Sequence, residues 1–287
     1  MDNPTVRQTS ATAQTVMRSE CFSPTDPGYT GRRCLLMLEK MHGLMAFGLI
    51  TLGVVFTKFN TASRVVHPLI FYQIRRAGLN LLPMITFLAC GLGWVVIGQT
   101  VDLMTRVGAE DYIGVVMISV VVRELGPMLT ALIVLARIGT ADVIELGTAR
   151  ALHEIDALEA MGIDPIHYLV VPRVVGLGVS IFCLTIYLIL GALASGYLVA
   201  FLQNVPLTPG AYLDQLAAAL NWQDFVLLAA KTILLGAIAA LVTCYEGLAR
   251  PLRLEQVAAA TTRAVVDCVV LWVFLDLAFL AAYAYWE

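Results

Sequence analysis

Residues 121–175 read VVRELGPMLTALIVLARIGTADVIELGTARALHEIDALEAMGIDPIHYLVVPRVV, and this stretch decides the fold of the chain. It starts as an apolar run that contains Arg123 and Glu124, and it ends as a second apolar run. Between the two runs, apolar side chains recur at every third position opposite a charged face, which predicts a short amphipathic helix at residues 149–161. We interpret the stretch as a membrane helix that leaves the bilayer, a short surface helix and a membrane helix that returns.

The composition is that of an integral membrane protein, since 59% of the residues are hydrophobic and 14% are charged. A helix that crosses a bilayer needs about 20 predominantly apolar residues, and the chain contains several runs of that length. We therefore predict an all-α integral membrane protein with five transmembrane helices, at about residues 77–101, 112–136, 174–202, 225–245 and 264–286.

The N-terminal region contains a polar part and a moderately apolar part. Residues 1–33 are polar, with no apolar segment after a basic start, and we predict a disordered cytoplasmic tail there. Residues 34–60 contain a charge-free part, 41–57, that is close to the lower length limit of a membrane span. Because cations flank it on both sides, we predict an interfacial elbow helix at 34–60. A sixth membrane span is the alternative.

The distribution of Lys and Arg predicts the orientation. Cations concentrate before residue 77 and in the loop 246–263, whereas the loop 203–224 contains neither Lys nor Arg. Loops rich in Lys and Arg stay on the cytoplasmic side. The N-terminus is therefore predicted to be cytoplasmic, and the C-terminus is predicted to lie on the outer side.

Five charged residues fall within predicted spans, namely Arg123, Glu124, Lys231, Asp267 and Asp276. Arg123 and Glu124 lie near the middle of the second span, where each charge costs about 2.5–3.5 kcal/mol to insert, and Pro127 follows them as a predicted kink. They form either a structural ion pair with neighbouring helices or the polar wall of a transport cavity. Asp276 in the last span needs a partner, and Arg123 is a candidate. Lys231 is predicted to extend to the membrane interface.

The sequence lacks several motifs that carry enzymatic chemistry. It contains no GxxxxGK[ST], no HExxH and no GxSxG, and its four histidines are scattered. No cluster of residues with metal-ligand spacing is visible. We therefore predict a non-catalytic chain with no catalytic residue and no metal site.

Several ordered motifs resemble the MlaE/YrbE family of ABC-transporter permease proteins, the membrane subunits of MCE-type lipid transport systems. The resemblance covers roughly residues 35–286, and the 1–33 leader lies outside it. The matching motifs are RELGPMLTAL (123–132), ARIGTA (136–141), ELGT (145–148), IDALEAMGIDP (155–165), YLVVPRVV (168–175), ATTRAVV (260–266) and LDLAF (275–279).

This resemblance implies the function and the partners. Two copies would form a homodimer around a lipid cavity, with two P-loop ATPase subunits beneath and a periplasmic MCE-domain protein above. ATP and Mg would be bound by the ATPase, and this chain would bind no cofactor. No nucleic acid is expected as a partner. The expected function is ATP-driven transport of phospholipid or another lipid between the bacterial inner membrane and the periplasm.

The resemblance also implies which residues act. The helix at 149–161 would be the coupling helix that docks in a groove of the ATPase, and the polar residues of the second and last spans would line or brace the lipid cavity. The expected coupling residues are Arg150, His153, Glu154, Asp156, Glu159, Met161, Asp164 and Pro165. The expected cavity residues are Arg123, Glu124, Pro127 and Asp276.

The chain departs from the family pattern at two places. His153 and Glu154 stand where the family usually has Glu-Gln, and residues 250–256 are charged where the family is commonly glycine-rich. The first departure indicates a co-adapted ATPase. Three alternatives remain: an ion-coupled secondary transporter that uses Arg123, Glu124 and Asp276 as a relay, a membrane scaffold whose surface helix recruits partners, and a homologue from a plastid inner envelope.

Overall fold

The computed structural model describes residues 42–54, 63–108, 112–202, 209–248 and 256–286. The chain divides into two compact units, Met1–Phe47 and Gly48–Glu287, and only residues 42–47 of the first unit are described. No strand occurs within the described ranges. The predicted tail 1–33, both ends of the predicted elbow helix and most of the loop 250–256 lie outside the described residues.

Five of the described helices are long and apolar enough to cross a membrane, which confirms the predicted all-α membrane fold. Four of them begin before the predicted span, α3 begins one residue after it, and three of the five end beyond it. Among the described residues, one shorter helix precedes the long ones and two connect them. In chain order the helices are α1 His42–Val54, α2 His67–Val107, α3 Ile113–Ala151, α4 Glu154–Ala160, α5 Ile166–Leu202, α6 Pro209–Ala219, α7 Trp222–Leu248 and α8 Val257–Ala282, of which α2, α3, α5, α7 and α8 are the five long ones.

Helix α5 lies at the centre of the second unit. It packs against α2, α3 and α7, and α8 packs on the outside against α7 and the end of α3. Large apolar side chains remain exposed on the outer faces, including Phe87 and Trp94 of α2 and Phe274 of α8. Such a surface suits contact with lipid, because hydrocarbon tails solvate these side chains as well as a protein core does.

Small residues let the central helices approach each other closely. On α5, two small residues contact α2: Ser195 donates a hydrogen bond to the carbonyl oxygen of Ala89 at 3.2 Å, and Gly196 packs against Ile97. On α7, Gly236 lies against the backbone of Gly178 on α5. Close backbone contact of this kind increases van der Waals attraction between membrane helices.

We predict opposite effects for the same substitution at two glycines in spanning helices. In Gly236→Ala, the new methyl carbon would lie 2.6 Å from Cα of Gly178, so α5 and α7 must separate, and the protein should lose about 1–3 kcal/mol of stability. Gly91→Ala is the matched control, because nothing lies within 4 Å of its added methyl group and alanine favours the helix. Thermal unfolding in detergent measures both, and equal melting temperatures for the two variants would contradict the described packing.

Candidate functional site

A buried lysine joins three membrane helices. The side chain of Lys231 on α7 is 1% exposed, and its Nζ lies 2.6 Å from Oδ1 of Asp276 on α8 and 3.0 Å from Oε2 of Glu124 on α3. The same Nζ donates a hydrogen bond of 2.9 Å to the carbonyl oxygen of Arg123. The contacts of Nζ with Arg123 and Glu124 are hydrogen bonds, and its contact with Asp276 is an ion pair. We call Lys231, Glu124 and Asp276 the lysine cluster.

The lysine cluster corrects two predictions from the sequence. Lys231 does not extend to the interface, since it lies nine residues after the start of α7, a rise of roughly 14 Å along the helix, and is fully enclosed. Arg123 is not the partner of Asp276. Its Nε instead lies 3.0 Å from Oδ1 of Asp224 at the start of α7, where the Asp224 side chain is 4% exposed.

Part of the lysine cluster reaches the protein surface. One ammonium group faces two carboxylates, and the side chains of Glu124 and Asp276 are 35% and 24% exposed. Arg123 and Glu124 lie in the π-helical segment Ile118–Leu125, which ends just before the buried Pro127. Single π-helical turns within α-helices are frequent at functional sites. The cluster therefore braces neighbouring helices and also presents carboxylates at the surface of the bundle.

A second group of charges lies at the end of the bundle that carries α4. Asp142 on α3 is fully buried and faces Arg173 of α5, whose Nε is 3.4 Å from Oδ1 of Asp142. The carboxylate of Glu145, one turn later on α3, lies 2.9 Å from Nη2 of Arg173 and 2.8 Å from Nη1 of Arg76 on α2. We call Arg76, Asp142, Glu145 and Arg173 the arginine cluster. It ties α2, α3 and α5 together.

The sequence reading missed the arginine cluster. The predicted second span ends at residue 136, so Asp142 and Glu145 fall outside it. Carboxylates without partners do not enter lipid. Two features of the sequence could have indicated the cluster. Asp142 and Glu145 are three residues apart and therefore lie on one helix face. Arg76 and Arg173 stand at the ends of two other apolar runs. Pairing with these arginines lets α3 continue without a break to Ala151.

The surface helix α4 is shorter than the predicted helix at 149–161. Helix α3 ends at Ala151, a turn with His153 at φ 59° follows, and α4 comprises only Glu154–Ala160. Asp156 holds this turn, since its carboxylate lies 2.7 Å from Nδ1 of His153 and 3.1 Å from Nη1 of Arg150. The hydrogen bond with His153 and the charge of Arg150 lower the pKa of Asp156. The turn therefore stays bonded until the pH falls through that lowered value.

The end of α4 follows its sequence signals. Gly162 adopts φ 76°, and the amide of Ile163 bonds the carbonyl oxygen of Leu158 at 3.1 Å, as in a helix end of the Schellman type. Asp164 accepts a hydrogen bond of 3.0 Å from the amide of Ile166, so it caps the start of α5, and Pro165 stands directly before Ile166. Glu154, Glu159 and Met161 are exposed to the solvent.

A pocket of about 400 Å³ lies between α4, the end of α3 and the start of α5. We call it the α4 pocket. Its walls combine apolar side chains with three charged ones, and two of the charged ones also belong to the arginine cluster. The lining residues are Glu145, Leu146, Thr148, Ala149, Glu154, Ile155, Leu158, Leu169 and Arg173.

The described arrangement has counterparts among known proteins. The profile of the permease MlaE family matches residues 70–282, which comprise nearly all of the five long helices with their ion clusters and α4. The chain belongs to the permease MlaE family. A probable ABC transporter permease of Rickettsia prowazekii is 32% identical over 203 residues, which are 71% of this chain and 78% of the relative.

Two relatives come from photosynthetic organisms. A probable ABC transporter permease of Synechocystis is 33% identical over 159 residues, 55% of this chain and 60% of the relative. The chloroplastic protein TRIGALACTOSYLDIACYLGLYCEROL 1 of Arabidopsis thaliana is 30% identical over 199 residues, 68% of this chain and 55% of the relative. As a member of the permease MlaE family, the chain is a multi-pass membrane protein and a transporter permease.

We predict that Lys231→Met destabilises the protein by about 3 kcal/mol. The substitution leaves Glu124 and Asp276 without their cation, and breaking a buried ion pair costs about 3–5 kcal/mol, with the lower end applying because both carboxylates are partly exposed. Denaturant unfolding in detergent measures the loss. The double variant Lys231→Met with Asp276→Asn should recover part of it, whereas wild-type stability of Lys231→Met would show that the cluster does not stabilise the bundle.

The arginine cluster predicts which of two substitutions lowers the stability of the protein more. Arg173→Met should cost more stability than Arg76→Met, because the Arg173 side chain is 4% exposed and that of Arg76 is 24% exposed. Both arginines face both carboxylates, and the distance to Oδ1 of Asp142 is 3.4 Å for Arg173 and 3.8 Å for Arg76. We expect about 3 kcal/mol for the first and about 1 kcal/mol for the second. Unfolding of the two variants side by side tests this order, and a reversed order would refute it.

Proposed function

We propose that this chain is the non-catalytic permease subunit of an ATP-driven transporter that moves phospholipid between the bacterial inner membrane and the periplasm. A separate P-loop ATPase would bind ATP and Mg and drive the permease through α4. Two copies of the chain would form a homodimer around the lipid path, with an MCE-domain protein on the periplasmic side. Membership of the permease MlaE family supports this proposal, and one relative carries the name of a diacylglycerol lipid.

The single observation that carries the proposal is the way α4 is attached to the bundle. The arginine cluster lies directly behind the α4 pocket and shares Glu145 and Arg173 with it. A force applied to α4 therefore acts on a rigid joint between α2, α3 and α5 rather than on a loose loop. This arrangement suits a subunit whose movement is driven by a partner, and in our proposal α4 and the N-terminus face the cytoplasm.

The lysine cluster provides the proposed polar element of the lipid path. Glu124 and Asp276 present partly exposed carboxylates among apolar helix surfaces, and Arg123 is 21% exposed beside them. Charges that are surrounded by apolar helix surfaces interact with a polar headgroup more strongly than they would in water, because little solvent screens them. The phosphate of a phospholipid would face Arg123 and a cationic headgroup substituent would face the carboxylates, while the acyl chains lie along the apolar surface.

An ion-coupled secondary transporter is the second candidate, and the lysine cluster also favours it. One ammonium group with two carboxylates inside a helix bundle resembles the proton relays of pumps and transporters.

The two functions differ in their energy source. Transport of fluorescent phospholipid by the reconstituted complex should require ATP and persist without an ion gradient. Transport that needs an ion gradient and continues without ATP would favour the second candidate.

We predict that charge reversal on α4 weakens association with the ATPase. Glu154→Lys and Glu159→Lys should each reduce co-purification of the ATPase at least severalfold, because both carboxylates are exposed on the docking helix and set its charge. Asp102→Lys is the control, since Asp102 is also exposed, is paired among the described residues only with the exposed Arg106 within its own helix, and lies near the end of α2 opposite to Arg76. Unchanged co-purification of both α4 variants from folded permease would count against coupling through α4.

A further inference from the structure

We infer that the α4 pocket receives a single basic side chain, an arginine or lysine, from the ATPase subunit. This inference rests on the proposed function, because it presumes an ATPase that docks on α4. The inference adds the chemistry of one contact. The ATPase inserts a cation into the α4 pocket of the permease, and this contact is separate from the docking of α4 in a groove of the ATPase.

The charges of the pocket favour a cation. Arg173 is the positive residue in the lining, and its guanidinium is already engaged by Asp142, Glu145 and the carbonyl oxygen of Leu169, to which Nη1 donates a hydrogen bond of 3.0 Å. Glu154 is exposed, and the described part of the chain offers it no ion pair. An entering cation therefore meets an uncompensated carboxylate and no available positive charge.

Glu145 supplies a second carboxylate at the pocket wall. Its side chain is 52% exposed although Oε1 and Oε2 each contact one arginine. A carboxylate has about four lone-pair positions, so each oxygen can accept a further hydrogen bond from a partner. A guanidinium or ammonium group between Glu145 and Glu154 would then be bound from two sides.

The shape and the apolar walls favour a long side chain. Leu146 and Ile155 are buried, and Leu158 and Leu169 are half-buried around the same space of about 400 Å³. Lysine and arginine place a methylene stem on apolar surface while the charged end reaches polar groups. A metal ion fits less well, because no group of metal-binding side chains occurs among the described residues. An anionic lipid headgroup would be repelled by Glu154.

The position of the bound cation would link the ATPase to the membrane helices. Glu145 belongs to both the α4 pocket and the arginine cluster, so a cation bound to it contacts the joint of α2, α3 and α5 directly. Motion of the ATPase would thus reach three membrane helices through one ionic contact.

The test fills the pocket without changing its charge. Ala149 lines the pocket, and Ala149→Phe should occupy the space, whereas Ala194→Phe adds the same group at an exposed position of α5 outside the lining and away from α4. The full-length permease in detergent and its separately purified ATPase are used to measure Kd. We expect Kd to rise at least tenfold for Ala149→Phe and to stay within twofold of wild type for Ala194→Phe, with both variants eluting as folded protein.

A second variant keeps the volume of the pocket and removes its charge. Glu154→Gln should also raise Kd at least tenfold, and Glu154→Lys should be restored by reversing one arginine or lysine of the ATPase to glutamate. Wild-type affinity of both Ala149→Phe and Glu154→Gln, or equal weakening by Ala149→Phe and Ala194→Phe, would overturn the inference while coupling through α4 remained supported. Absence of ATPase binding by the wild-type permease would overturn the proposed function as well.

Discussion

The structure depends on the need to compensate the charge of Lys231 inside an apolar helix bundle. Neither lipid nor aliphatic side chains can solvate an ammonium group, so its three donors must find acceptors within the protein. They do so on α3 and α8, which places both helices beside α7. An apolar residue at this position would let the helices slide or rotate at little cost, whereas the ionic contacts allow one arrangement.

Helix α3 connects the two ion clusters. Glu124 takes part in the lysine cluster, and Asp142 and Glu145 take part in the arginine cluster, roughly 27 Å further along the same helix at 1.5 Å per residue. A displacement at α4 can therefore reach the polar residues within the bundle through one continuous helix. In a transporter driven by a partner, this helix is the natural mechanical link between energy input and cargo.

Local features of the chain were predicted well because their causes are local. The five apolar runs need only length and composition to be recognised, and the surface helix needs only the spacing of its apolar residues. The predicted ends of the spans were less accurate. Helix α3 continues through Asp142 because Arg76 and Arg173, from two other helices, compensate its charge. A prediction from consecutive residues cannot include such compensation, because the partners are far apart in the sequence.

The sequence by itself determined the class of the protein, the number of its long apolar helices, the position of the surface helix and the family that the motifs resemble. Only the tertiary structure decided which charges meet: Lys231 with Asp276, Arg123 with Asp224, and Arg173 with Asp142. The physical reason is that hydrophobic burial depends on composition along the chain, whereas an ion pair depends on distances of a few ångströms between helices that are far apart in sequence.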